Sequence, residues 1–402
     1  VFSLVSGAVM RDSLRVAAIV FGVIAMIGGL LLGMGLAVMI FTGPRAQWLP
    51  SLTVAFSVIT VGAGLGGVLA LAGWASWRRW RSPALILPPL WWLAAVLMLV
   101  LGIGHLLLQT SAAWLLLPWH GLAALVPPLM VAAWLLPALQ PARLSRRTLL
   151  AAFAYGGVLA TLVSIVLEAG MFVLIFLLAA TGTALLPGGA ASLTRWEEIL
   201  QIVEASGDLA ALRPGMTPPL LLGVGLLLAG AVPLIEEIVK SLASLAYRTP
   251  VGARTRARVF MVGVMAGAGF SFTEALFYAA QPLPEQWLQS VLLRGLTVVI
   301  HAASTGLVAL GWYDLRTRAS LGALRYLVVG FAIHGLWNGL SGMLVMVGLR
   351  SGLVGAELAA LRSLSAMLWL AMIIAGLAVV WIGALALLWW ERGRLSRALR
   401  AG

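Results

Sequence analysis

The chain has no cysteine among its 402 residues, which excludes disulfides, thiolate metal sites and cysteine nucleophiles. Charge is scarce too: Asp, Glu, Lys and Arg make up 10% of residues, with 13 acids against 26 bases. Histidine occurs four times, and no H-E-x-x-H run sets two of them at the spacing many zinc proteases use. What fills the chain is apolar. At 62% hydrophobic residues and a mean hydropathy of +1.06, it lies outside the range of soluble domains and reads as an all-α polytopic membrane protein. The formal charge of +13 does not point to nucleic acid, because the basic residues fall between apolar runs, where they mark loops on one membrane face.

Runs of roughly 20 or more apolar residues give about ten transmembrane helices. They lie near residues 16–41, 52–75, 85–108, 114–139, 149–180, 217–246, 259–280, 288–313, 323–349 and 364–390. Alternating the loops from a cytoplasmic N-terminus collects Arg78, Arg79, Arg81, Arg143, Arg146, Arg147, Arg248, Arg254, Arg256 and Arg258 on one side. Arg316, Arg318, Arg325 and the tail arginines Arg392, Arg394, Arg397 and Arg400 join them, so both termini are expected to be cytoplasmic. The opposite side holds Arg45, Arg195, Arg213, Arg294, Arg350 and Arg362. The first span is too long for a signal-peptide core, and it is expected to remain in the mature protein. The resulting plan is a four-helix membrane module at 1–148, a polar-studded membrane core at 149–349, and a final helix with a basic tail at 350–402.

The first half holds no reactive cluster. Gly29 with Gly33, and Gly62 with Gly66, have the spacing that lets membrane helices pack closely, and His105 and His120 read as interfacial or bundle-packed side chains. The Pro88-Pro89 and Pro127-Pro128 pairs are expected to kink or shorten their helices. Glu168 reads as facing water near the outer end of its span. Beyond it, Thr194-Arg-Trp-Glu197 has capping-box spacing and, with Glu198, Glu204 and Asp208, predicts an acidic amphipathic helix on the outer face.

Spans six to nine carry polar residues that a lipid-facing bundle has no reason to keep. Span six brings Glu236, Glu237 and Lys240, and span seven brings Phe270-Ser-Phe-Thr-Glu274. Span eight brings His301 with Ser304 and Thr305, and span nine brings His334-Gly-Leu-Trp-Asn338, whose end residues share a helix face. At 1.5 Å per residue, Glu236 and His334 fall at roughly 15 Å depth, and His301 and Glu274 at roughly 20 Å. The polar groups are therefore expected to converge near the midplane, with Gly263, Gly267 and Gly269 allowing close helix approach.

These four ordered motifs resemble those of the PrsW family of intramembrane proteases, a family related to the type II CAAX prenyl endopeptidases and the Abi proteins. The resemblance covers roughly residues 150–350. It implies cleavage of a membrane-anchored protein or peptide, such as site-1 cleavage of an anti-sigma factor, in a bacterial inner membrane. Ala275 stands where PrsW-like sequences commonly have asparagine. The CAAX-type relatives place a histidine where this chain has Glu274, which leaves His301 to supply that imidazole.

Amide hydrolysis needs a base for water, donors for the oxyanion and an acid for the leaving amine. Glu236 or Glu237 is expected to take the proton, with His301 sharing the transfer. By similarity to the CAAX-type relatives, His334 and Asn338 would donate to the oxyanion. Lys240, Phe270 and Glu274 are supporting residues, Lys240 holding the acids and Glu274 orienting a histidine. This reading requires no cofactor. The alternative sets a Zn²⁺ among Glu236, Glu237, Glu274, His301 and His334, whose carboxylate and imidazole donors suit it. Outside hydrolysis, the same residues fit a proton-coupled transporter or a non-hydrolytic membrane scaffold.

Overall fold

The computed structural model describes residues 2–40, 48–110, 113–184, 198, 201, 223–246, 252–278, 280, 286–318, 321–351 and 364–401. The acidic segment from Thr194 to Glu197, with Glu204 and Asp208, lies outside the described residues. The helices are α1 (Phe2–Ile40), α2 (Trp48–Ile59), α3 (Gly66–Trp77), α4 (Leu90–Leu108), α5 (Leu116–Leu139) and α6 (Arg146–Tyr155). There follow α7 (Thr161–Ala184), α8 (Val232–Ser241), α9 (Ala253–Tyr278), α10 (Trp287–Arg318), α11 (Gly322–Ser351) and α12 (Leu364–Ala401). Among the described residues, extended pairing is limited to an isolated bridge between Ala84 and Ser145.

Nine candidate membrane spans fall among the described residues, with α2 and α3 forming one and α6 and α7 another. The protein is thus an all-α, multi-pass membrane protein. The tenth expected span, 217–246, begins outside the described residues, and its described part is punctuated by Glu236, Glu237 and Lys240. Pro89 is extended and caps α4, so that helix begins at Leu90 rather than near 85. Pro127, Pro128 and Pro137 instead stay inside α5. Ser145 starts α6 by accepting from the Thr148 amide at 3.2 Å, satisfying a donor the first helical turn leaves open.

The helices divide into two compact units. The first comprises 1–162, 237–330 and 384–402. Its centre is α9, buried along nearly its whole length and packed on α10, α5 and α6. Close approach there depends on absent side chains: a Cβ at Gly267 would strike the His301 carbonyl, and one at Gly269 the Phe153 carbonyl. Gly29 of α1 and Gly62, in the π-helical turn between α2 and α3, meet backbone to backbone. His120 is fully buried and structural. Its Nδ1 accepts from the Trp287 indole at 3.1 Å, which puts the proton on Nε2, 3.0 Å from the Leu276 carbonyl. Arg256 pairs with Asp314, Arg394 pairs with Glu391 at 2.6 Å, and both guanidinium groups stack on Tyr326.

The second unit comprises 163–236 and 331–383. In it the turn before α8 packs on the glycine face of α11. Leu228 and Ala229 fill the space over Gly335, Gly339 and Gly342, and Leu340 rests on Gly376 of α12.

Candidate functional site

The polar residues of α8 begin from an interrupted backbone. Proline has no amide hydrogen, so Pro233 cannot bond the carbonyl four residues back, that of Ala229. The chain answers with a π-helical turn at Leu227–Ala231, a local widening common near functional sites. The Ala229 carbonyl lies against Gly335, where any side chain would collide with it. Gly335 follows His334 directly, so the glycine of the H-G-L-W-N motif lets α11 approach near enough for its histidine to face Glu236. At the other end α8 tightens into a 3-10 turn, Leu242–Ala246, and Tyr155 of α6 donates to the Val239 carbonyl at 2.8 Å.

In the second unit, Glu236 Oε2 and His334 Nε2 lie 3.6 Å apart, both side chains buried. That exceeds an ordinary hydrogen bond. It is close to the edge of a tetrahedral zinc shell, since ligands at about 2.0–2.1 Å sit about 3.3 Å from one another. Asn338 stands one turn beyond His334 on the same face, half-buried.

In the first unit, the other sequence-derived residues form a chain. Glu237 accepts from the Lys240 ammonium at 2.9 Å and from the Thr305 hydroxyl at 2.6 Å, one bond to each oxygen. Both Glu237 and Lys240 have no exposed side-chain surface. Lys240 also reaches His301 Nδ1 at 2.9 Å and lies 3.9 Å from the centre of the Phe270 ring. His301 Nε2 stands 2.7 Å from Glu274 Oε2. An ammonium has only donors, so Nδ1 must accept and the ring hydrogen sits on Nε2, the nitrogen in close contact with Glu274. Lys240 thereby sets the tautomer of His301. Glu274, with 16% of its side chain exposed, is the open end of the chain.

Two parts were missed from the sequence. Thr305 was seen only as a polar neighbour of His301, though its hydroxyl caps Glu237. Tyr155 sits outside every motif, and no local pattern marks it. His105 is exposed and bonds Gln109, and Glu168 is partly buried in the third turn of α7.

Compared with known proteins, residues 210–375 match the family model of the PrsW family intramembrane metalloprotease, a stretch that runs from before α8 into α12. No curated protein and no solved structure matches the chain.

Proposed function

We propose, from the PrsW family intramembrane protease domain at residues 210–375, that this protein cuts membrane-anchored polypeptides at a zinc-dependent centre on Glu236 and His334. The observation that carries this reading is their 3.6 Å separation, too long for a hydrogen bond and suited to two ligands of one ion. A catalytic zinc takes three protein ligands and keeps a position open. Glu236 and His334 would supply two of them. When bound, the ion would acidify a water and polarise the scissile carbonyl.

The chain's own groups do the rest. Glu274 is the base that takes a proton from water, as its carboxylate is partly accessible and lies 2.7 Å from His301 Nε2. Water oxygen adds to the carbonyl carbon, and the Asn338 amide donates to the resulting oxyanion. Glu274 then returns the proton to the amine as the carbon–nitrogen bond breaks. Glu237 and Lys240 form the support behind His301, and the full engagement of both Glu237 oxygens argues against Glu237 as a base. A membrane-anchored regulator such as an anti-sigma factor, in a bacterial inner membrane, is the substrate this reading favours.

The test is cleavage of a single-span reporter by the purified full chain. Glu236→Gln, His334→Ala and Glu274→Gln should each lower turnover at least about a hundredfold without lowering yield. Chelation should abolish turnover and added zinc restore it. Full activity in metal-free protein would return the reading to a glutamate mechanism, with Glu236 as base.

A further inference from the structure

We infer that Arg294 selects the substrate, binding an acidic side chain about three residues from the cleaved bond. This rests on the proposed hydrolysis and adds the chemistry of what is cut. Arg294 lies within α10, seven residues before His301 and so on the same helix face. On α9, Tyr278 follows Glu274 by four residues and shares its face. The two helices thus present paired residues along one stripe. His301 meets Glu274 at 2.7 Å, and further along Arg294 stacks on Tyr278 with its guanidinium 3.6 Å from the ring centre.

Arg294 stands in the third turn of the candidate span Trp287–Thr317, where charged side chains are uncommon. Among the described residues Arg294 has no carboxylate partner, and none of its donors meets an acceptor. Stacking on Tyr278 covers one face of the plane and leaves the edge donors available for a bidentate carboxylate. Exposure rises along the stripe, from 4% of the His301 side chain to 16% of the Glu274 side chain, and Tyr278 is exposed. Seven helical residues span about 10.5 Å. An extended substrate covers that distance in about three residues at roughly 3.3 Å each.

The experiment uses full-length protein in proteoliposomes and single-span peptides derived from one cleaved parent. Glu, Gln or Lys is placed in turn at each of the five positions on either side of the mapped bond, and kcat/KM is measured by mass spectrometry. Glu at the third position on one side should exceed Gln there by at least about tenfold. Arg294→Gln should erase that ratio, Arg294→Lys should retain part of it, and Arg294→Glu should transfer the preference to Lys. Wild-type protein that cuts the three peptide series alike overturns the inference while leaving hydrolysis intact. So does a Glu preference that persists in Arg294→Gln. Wild-type protein that cuts no peptide overturns the proposed function and the inference with it.

Discussion

At the scale of single residues, adjacent glutamates meet different partners. Glu237 answers a lysine with no exposed surface, so Glu237→Gln leaves a buried ammonium short of its counter-charge. Breaking such a pair costs about 3–5 kcal/mol, and the variant should show a clear drop in thermal stability in detergent. Glu236→Gln should melt near wild type yet be inactive; equal melting of both variants would contradict this division. Lys240→Met should keep the apolar bulk but release His301 Nδ1. A loss of about 10–100-fold in kcat with KM little changed is expected, the size seen when a group that orients a reactive side chain is removed. Activity equal to wild type would remove Lys240 from the support of His301. The acids, lysine and histidines were all legible in the sequence, because charge inside an apolar run is conspicuous. Which glutamate takes the lysine was not, since Glu236 at i,i+4 and Glu237 at i,i+3 are both within its reach. The Thr305 hydroxyl from α10 engages Glu237 beside the lysine.

At the scale of elements, glycine sets how near the helices come. Gly335→Ala would drive a methyl group into the Ala229 carbonyl and push α11 away from the turn before α8. Overpacking of this kind costs about 1–3 kcal/mol, and the shift should also lower turnover by tenfold or more. Gly170→Ala is the control, because nothing lies within 4 Å of a Cβ there. It should be neutral or slightly stabilising, as alanine is the better helix former. Similar losses for the two variants would show that glycine content, not this contact, matters. The sequence indicated the close-packing glycines by spacing, but Pro233 was not read there as a break in α8. It did not indicate that a π-helical turn would absorb the break, nor that Tyr155, 84 residues before Val239, would bond the α8 backbone. Such contacts depend on how distant segments pack and leave no periodicity to read.

At the scale of the whole molecule, the apolar runs disclosed a multi-pass helical membrane protein, and arginine placement suggests two cytoplasmic ends. A periplasm-dependent reporter fused after Gly402 should therefore be silent and a cytoplasm-dependent one active; the reverse would refute that orientation. Helices α2, α5 and α6 pack directly on α9. The most direct test of the central claim is mass-spectrometric detection of new peptide termini when purified full-length protein meets a single-span substrate. The wild-type protein should produce them, Glu236→Gln should not, and chelation should stop them in a way that zinc reverses. The same termini from equally pure, well-folded Glu236→Gln protein would contradict it.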